Sequence, residues 1–134
     1  MEKHQILDLV LQTKWFNMIK SGEKTEEYRD IKPFYVNRLF IKGDIIYLKQ
    51  TYPSTFIFYN EKDNFIKKIK EWNKSTDGNC LRFRPFKEVK FHKGYTNETI
   101  TFEIEDIKIG YGKEKWGAEK DKEYFIIKLG KKLK

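Results

Sequence analysis

The sequence predicts an α+β fold, a small, partly open β-barrel with short helices covering its ends. Short segments of alternating apolar residues begin the chain and dominate its last third, as half-buried strands do. Segments with helical spacing lie between them, which favours a barrel covered by helices. The alternation also slips by one residue near Glu105 and Asp106. Such a slip indicates a β-bulge, which would bend the strand as a barrel requires.

The composition is typical of one globular domain, and we expect a single domain over residues 1–134. Hydrophobic residues make up 39% of the chain, which is too many for a disordered protein. No apolar run approaches the length of a membrane span, and the N-terminus has no signal-peptide pattern. The single cysteine, Cys80, excludes an internal disulfide. We therefore expect a cytoplasmic protein with no membrane partner.

The net charge of +8 favours an anionic partner, RNA or a nucleotide. Phosphate groups attract lysine and arginine and release counterions when these bind. A generally lysine-rich composition would produce the same charge without such a partner. The basic segment from Arg82 to Lys93 fits either a nucleic-acid contact or an outward-facing strand.

The first two elements are a strand and a short helix. Residues 4–11 are predicted to form the strand, since leucines recur at alternate positions. Thr13 is predicted as the N-cap of the helix, and Gly22 suits the position that ends it. The apolar residues at helical spacing between them are Trp15, Phe16, Met18 and Ile19.

A charged strand is predicted next, over residues 25–31. Alternation would place Glu27 and Arg29 on the same face, where they can form an ion pair inside a wet cleft. Glu26 is expected to point outward into solvent. Neither face of this strand is apolar, which is unusual in a small domain and marks the strand as a site candidate.

The middle of the chain is predicted to contain helices and two strands. Pro33 begins a short helix, and a turn at Gly43 leads to a strand over residues 45–48. Residues 51–82 contain a possible strand at 55–59 and a helix capped by Asn60. The apolar face of that helix is formed by Phe65, Ile69 and Trp72.

The last third is predicted to be mostly β. Residues 81–95 form a basic strand-like segment, and residues 100–109 form the strand that carries the bulge. A loop rich in glycine and aromatic residues follows and contains Trp116. Residues 124–129 form the last strand.

Residues 21–29 (Ser-Gly-Glu-Lys-Thr-Glu-Glu-Tyr-Arg) resemble the signature of the ASCH family, the activating signal cointegrator homology domains. That signature is roughly G-x-K-x-x-E-x-R and follows a short helix. The Gly43-Asp44 turn and the last strand are also similar to the family. ASCH domains share a β-barrel related to the PUA domains of RNA-modification proteins. The resemblance implies a PUA-like barrel, with residues 51–82 as a helical insertion outside it.

The resemblance also implies a ligand-binding cleft around Lys24, Glu27 and Arg29. Glu27 can accept a hydrogen bond from a base amino group, and Arg29 can bind phosphate. The structural alternatives are an exposed turn lysine at Lys24 and a buried ion pair between Glu27 and Arg29. Four further residues are predicted to contact the ligand, by stacking or by charge: Tyr28, Trp116, Tyr95 and Lys14. Trp15 fits the core better than a stacking role.

The family's functions make an RNA or modified-nucleotide binding module the first hypothesis. The alternative is a hydrolase, since some members are ribonucleases and one branch removes the acyl group of N4-acetylcytidine with a lysine, a threonine and a glutamate. Lys24 matches that lysine, but Glu27 occupies the threonine position. In a hydrolase, Lys24 and Glu27 would be catalytic. A third possibility is a basic surface that binds an acidic protein.

No cofactor or metal ion is predicted. The two histidines, His4 and His92, are isolated, with no cysteine or carboxylate at metal-ligand spacing. The sequence also contains no Ser-His-Asp order, phosphate-binding glycine loop or dinucleotide fingerprint.

Overall fold

The computed structural model describes residues 5–134 and divides the chain into two compact units. The first combines the chain up to Arg29 with Pro85–Lys134 and contains the β-sheet. The second, Asp30–Arg84, is helical. In the described part of the chain, no helix is both long and apolar enough to cross a membrane.

Five strands form the sheet of the first unit, in the order β1-β3-β4-β5-β2. Their bounds are Ile6–Leu11 (β1), Glu26–Asp30 (β2), Glu88–Lys93 (β3), Thr99–Tyr111 (β4) and Glu123–Lys132 (β5). β1 and β3 are parallel, whereas β3–β4 and β4–β5 are antiparallel. The sheet curls into a half-barrel, so the prediction of an α+β, barrel-like fold is confirmed at that level.

The alternation in β1 is confirmed, because Leu7, Leu9 and Leu11 are buried while the residues between them are exposed. The helix α1 spans Thr13–Lys20 and buries Phe16 and Ile19. The predicted N-cap is wrong: Thr13 lies within the helix, and Gln12 precedes it without a side-chain hydrogen bond. Gly22 ends the helix as predicted, with a φ of 86° that favours glycine. His4 lies outside the described residues.

The predicted bulge in β4 is confirmed. The pairing between β4 and β5 shifts register between Phe102 and Ile104, and again between Ile104 and Asp106. Extra residues on one strand increase its local bend and twist, which is consistent with the curl of this sheet. The basic strand predicted over residues 81–95 is shorter than expected, because only Glu88–Lys93 is extended within the sheet.

The second unit contains four helices in its described residues: α2 (Pro33–Leu39), α3 (Lys42–Thr51), α4 (Pro53–Ile57) and α5 (Lys62–Lys74). Pro33 occupies the first turn of α2, as predicted. The helical insertion predicted over residues 51–82 lies within this unit. Phe65, Ile69 and Trp72 are buried on one face of α5, as their spacing predicted.

Two predicted strands of this unit are wrong. Residues 45–48 belong to α3, which buries Ile45 and Leu48 and exposes the two residues between them. A run of four apolar residues fits a buried strand or one turn of a helix, so the pattern alone could not decide. Residues 55–59 fall in α4 and the turn after it. Asn60 does not cap α5, because Glu61 is the N-cap residue.

Replacing Gly112 by alanine should destabilise the protein. The new Cβ would lie 2.7 Å from Cζ of Tyr28 and 2.7 Å from Cβ of Ala118, and overpacking costs about 1–3 kcal/mol. The matched control is Gly43→Ala in α3, where a new Cβ meets nothing within 4 Å and alanine is favoured by up to about 1 kcal/mol. Urea unfolding compares them, and an unchanged stability for Gly112→Ala would contradict this close packing.

Candidate functional site

The turn after α1 directs Lys24 into the interior of the sheet unit. The left-handed Gly22 reverses the chain, and the backbone N–H of Lys24 donates to the Met18 carbonyl at 3.0 Å. The Lys24 side chain is only 1% exposed. A buried ammonium needs hydrogen-bond acceptors and a counter-charge to offset its lost hydration.

Glu27 supplies that counter-charge and shares it with Arg29. Lys24 Nζ donates to the Glu26 carbonyl oxygen and, at 3.0 Å, to Oε1 of Glu27. Nη2 of Arg29 donates to Oε2 of Glu27 at 2.7 Å and to the Val10 carbonyl at 2.9 Å. One buried carboxylate therefore lies between two cations, and each of its oxygens is held by one of them. The predicted pairing of Glu27 with Arg29 is confirmed.

Burial lowers the pKa of Lys24, and the nearby Glu27 carboxylate partly offsets this effect. The positive charge of Arg29 lowers the pKa further. Glu27 therefore provides the main interaction that favours the charged state of Lys24 against the effect of burial. Lys24 therefore helps to hold the Glu27 carboxylate in position. It is buried, so the alternative of an exposed turn lysine is wrong.

Tyr28 forms a second link across the unit. Its hydroxyl donates to Oε1 of Glu26 at 2.7 Å and accepts from the backbone N–H of Lys113 at 3.0 Å. The prediction that Glu26 points into solvent is wrong, because it is half-buried and binds Tyr28. Burial is also the main cause that raises the pKa of Tyr28. The ring is thus fixed as a neutral phenol.

A cavity of about 340 Å³ lies beside these residues. Its aromatic walls are Trp15, Tyr28, Trp116 and Tyr124, and its charged lining groups are Glu27 and Arg29. Gly117 also lines it and has a φ of 101°. A Cβ there would lie 3.0 Å from the Trp15 ring, so glycine allows this close approach.

The two tryptophans of the cavity differ from their predicted roles. Trp15, expected in the core, is only half-buried and lines the cavity. Trp116, the preferred stacking candidate, is 6% exposed and ends a 3₁₀ turn, Glu114–Trp116. Its indole Nε1 is buried and has no hydrogen-bond partner within residues 5–134. Trp15 therefore offers the more accessible ring.

Lysines surround the aromatic walls. Lys14 Nζ lies 4.7 Å from the centre of the Trp15 ring, and Lys122 Nζ lies 5.0 Å from that of Tyr124. Lys113 and Lys115 place their Nζ atoms 4.5 and 5.0 Å from the Trp116 ring. Cations favour such positions over aromatic faces. We call Lys14, Lys113, Lys115 and Lys122 the lysine rim.

The structure brings together most of the predicted site residues. Glu27, Tyr28, Arg29 and Trp116 line the cavity, and Lys14 belongs to the lysine rim. Lys24 is not among the lining residues, although it contacts Glu27. Tyr95 is fully exposed in the turn after β3 and does not line the cavity.

Sequence reasoning missed Tyr124 and most of the lysine rim. Tyr124 was assigned only as the first residue of an apolar strand, where most aromatic side chains pack inward. In the structure it lies 5.8 Å from Tyr28, between ring centres, and lines the cavity. Lys113 immediately precedes the Glu114–Trp116 turn, and Lys115 lies within it. Their closeness to a candidate stacking residue was the signal that could have found them.

The buried pair of Lys24 and Glu27 should be far more sensitive to mutation than an exposed pair of the same spacing. Glu27→Ala should cost about 3–5 kcal/mol, because it removes the carboxylate that offsets a buried charge. The matched control is Glu71→Ala, which breaks the exposed i,i+3 pair with Lys68 and should cost less than about 1 kcal/mol.

A double-mutant cycle separates this interaction from packing. Lys24→Met combined with Glu27→Ala should be less destabilising than the sum of the single changes by about 0.5–3 kcal/mol. The free energies come from equilibrium urea unfolding. Additive losses would show that the two side chains do not stabilise each other.

Tyr28 should remain protonated at a pH where ordinary tyrosines ionise, near pH 10. Because its folded pKa is raised, its contribution to stability is present below about pH 10 and is lost as the pH rises further. Tyr28→Phe should leave the ultraviolet tyrosinate signal of the folded protein unchanged and weaken alkaline destabilisation. A loss of signal in Tyr28→Phe would contradict the burial of this phenol.

Comparison with known proteins assigns no family to this chain. No protein-family model matches it, and neither a curated protein nor a solved structure does. Function is therefore inferred from the geometry of the cavity and from the ASCH resemblance of residues 21–29.

Proposed function

We propose that the cavity binds a base of RNA or of a modified nucleotide, as the ASCH resemblance implies. The observation that carries this proposal is the pair of Glu27 and Arg29, held 2.7 Å apart in a cavity with four aromatic lining residues. The curled sheet is compatible with a PUA-like barrel, and we infer that fold and a cytoplasmic location together with this function.

The size and walls of the cavity suit a nucleobase. Its volume of about 340 Å³ is at the lower end of the range of about 300–1,000 Å³ for small-molecule sites. Proteins recognise unpaired bases by stacking them on aromatic side chains, and each stacked base contributes about 1–3 kcal/mol. Trp15 is the half-exposed ring on which we expect this stacking.

Glu27 would read the edge of the base. Each of its oxygens accepts one hydrogen bond from a cation of the site, and an ionised carboxylate has about four acceptor positions. Acceptor capacity therefore remains for an amino group, as on cytosine. Uracil has a carbonyl oxygen at the corresponding position and would face the carboxylate with another acceptor. We expect preference for bases that carry an exocyclic amine.

The charges around the cavity would bind the phosphate of the same ligand. Arg29 lines the cavity, and the lysine rim contacts three of its aromatic walls. The net charge of +8 adds long-range attraction for a polyanion. Base recognition and phosphate attraction would thus come from different side chains of one site.

A hydrolase acting on an N-acylated cytosine or on RNA is the second candidate. It is favoured by the lowered pKa of Lys24 and by the distance of 3.0 Å from its Nζ to Glu27, since catalytic lysines and carboxylates are activated in this way. Binding is preferred because Lys24 is not among the residues that line the cavity.

Tryptophan fluorescence during titration with cytidine, uridine, cytidine monophosphate and a short single-stranded RNA tests the binding proposal. The wild type should bind cytidine at least tenfold more tightly than uridine, because only cytidine has an exocyclic amino group to donate to Glu27. Glu27→Gln should abolish this preference. The matched control is Glu105→Gln, an exposed position on β4 that loses the same charge. The absence of a response to all four ligands would refute the proposal.

Chromatography of N4-acetylcytidine incubated with the protein tests the hydrolase candidate. Water would cleave the amide and release acetate and cytidine. Catalysis by this site requires that turnover disappear in Lys24→Met while circular dichroism shows an intact fold. Turnover in the wild type that persists in Lys24→Met would remove Lys24 from the mechanism, and no turnover at all would exclude N4-acetylcytidine as the substrate.

A further inference from the structure

The helical unit contains a separate cavity with an unusual set of charges. Its volume is about 340 Å³, and its lining residues are Phe34, Asn37, Arg38 and Arg84. This lining has two guanidinium groups, an amide and an aromatic ring, and it contains no carboxylate. Such a composition is typical of sites that bind oxyanions, because guanidinium donors match the oxygens of phosphate.

Arg84 is held in place by backbone carbonyls and not by an acid. Its Nε donates to the Phe40 carbonyl at 2.7 Å, and its Nη2 donates to the Asn37 carbonyl at 2.9 Å. No carboxylate within residues 5–134 forms an ion pair with it. A guanidinium has five N–H donors, so these two bonds leave most of its donors unused. Its charge is fixed in position but not neutralised.

The neighbouring Arg82, in contrast to Arg84, is neutralised by an acid. Its Nε and Nη2 donate to both oxygens of Asp44, at 3.0 and 2.9 Å. Hydrogen bonds from Arg82 in turn lower the pKa of Asp44. Arg82 is therefore satisfied by a bidentate acid, whereas Arg84, two residues later, has only neutral acceptors.

A structural role accounts for only part of this arrangement. Asn37 lies in the last turn of α2, and Phe40 follows the helix, so Arg84 bonds carbonyls at a helix C-terminus, where cations are favoured. That role uses two of the five N–H donors of Arg84. Lys49 adds a further cation, since its Nζ donates to Oδ1 of Asn37 at 3.1 Å.

We propose that this cavity binds the phosphate group of a phosphorylated ligand. Arg84 and Arg38 would donate to the phosphate oxygens, and the amide nitrogen of Asn37 is a further donor. Phe34 is 61% exposed at this cavity and would contact the organic part of the ligand. The site is formed by the helical unit alone. This proposal can therefore be tested independently of base binding in the sheet unit.

Nuclear magnetic resonance of arginine Nε–H groups tests the site in the full chain. Titration with inorganic phosphate, compared with chloride at equal ionic strength, should shift the Arg84 and Arg38 signals along a saturating curve. Arg38→Gln should weaken phosphate binding at least tenfold. Arg84→Lys keeps the charge and loses the planar fork, so it should also weaken binding, by severalfold.

The matched control is Arg82→Gln, which removes one positive charge from an arginine that does not line the cavity. It should change phosphate affinity less than twofold. A linear, unsaturated response to phosphate would overturn the proposal, and so would an equal loss in Arg82→Gln and Arg38→Gln. Thermal unfolding of each variant verifies that the fold is retained. If Arg84→Lys unfolds, Arg38→Gln alone decides.

Two further ligands distinguish the possible sources of the phosphate. Phenyl phosphate is a monoester with a ring that can contact Phe34, and a short single-stranded RNA offers diesters. Tighter binding of phenyl phosphate than of inorganic phosphate, lost in Phe34→Ala, would indicate a phosphorylated small molecule. Tighter binding of the RNA at these arginines would indicate a nucleic-acid backbone. If neither ligand shifts the arginine signals, the proposal fails.

Discussion

The burial of the Lys24 ammonium is the constraint on which the site in the sheet unit depends. A charge that is 1% exposed must have a counter-ion and several acceptors, or it would cost several kcal/mol. Glu27 meets this requirement and is itself held by Arg29. The strand that carries these residues therefore has no apolar face, because its side chains serve an electrostatic network.

The same network determines what the cavity can offer to a ligand. Lys24 and Arg29 fix the Glu27 carboxylate from two sides, so its orientation is set before any ligand binds, and binding need not spend free energy on ordering it. Glycine completes the walls: Gly112 lies against Tyr28, and Gly117 lies against Trp15. Charged groups thus form one part of the cavity lining and aromatic rings form another.

Local periodicity along the chain was sufficient to predict several elements correctly. This holds for β1, for the face of α5 formed by Phe65, Ile69 and Trp72, and for the register slip in β4. It failed at residues 45–48, where a short apolar run fits two structures and the pairing of distant segments decides between them. Within the site, spacing along β2 was enough to predict the pairing of Glu27 with Arg29.

The sequence by itself determined the half-buried elements and the charged strand, because side-chain direction follows from the helical and strand periods. Only the tertiary structure decided which aromatic residues face the cavity. The Trp15 ring lies against Gly117, which is far away in the sequence, and Tyr124 joins Tyr28 through the pairing of strands. The exposure of a side chain depends on which distant segments cover it, and a local sequence pattern does not contain that information.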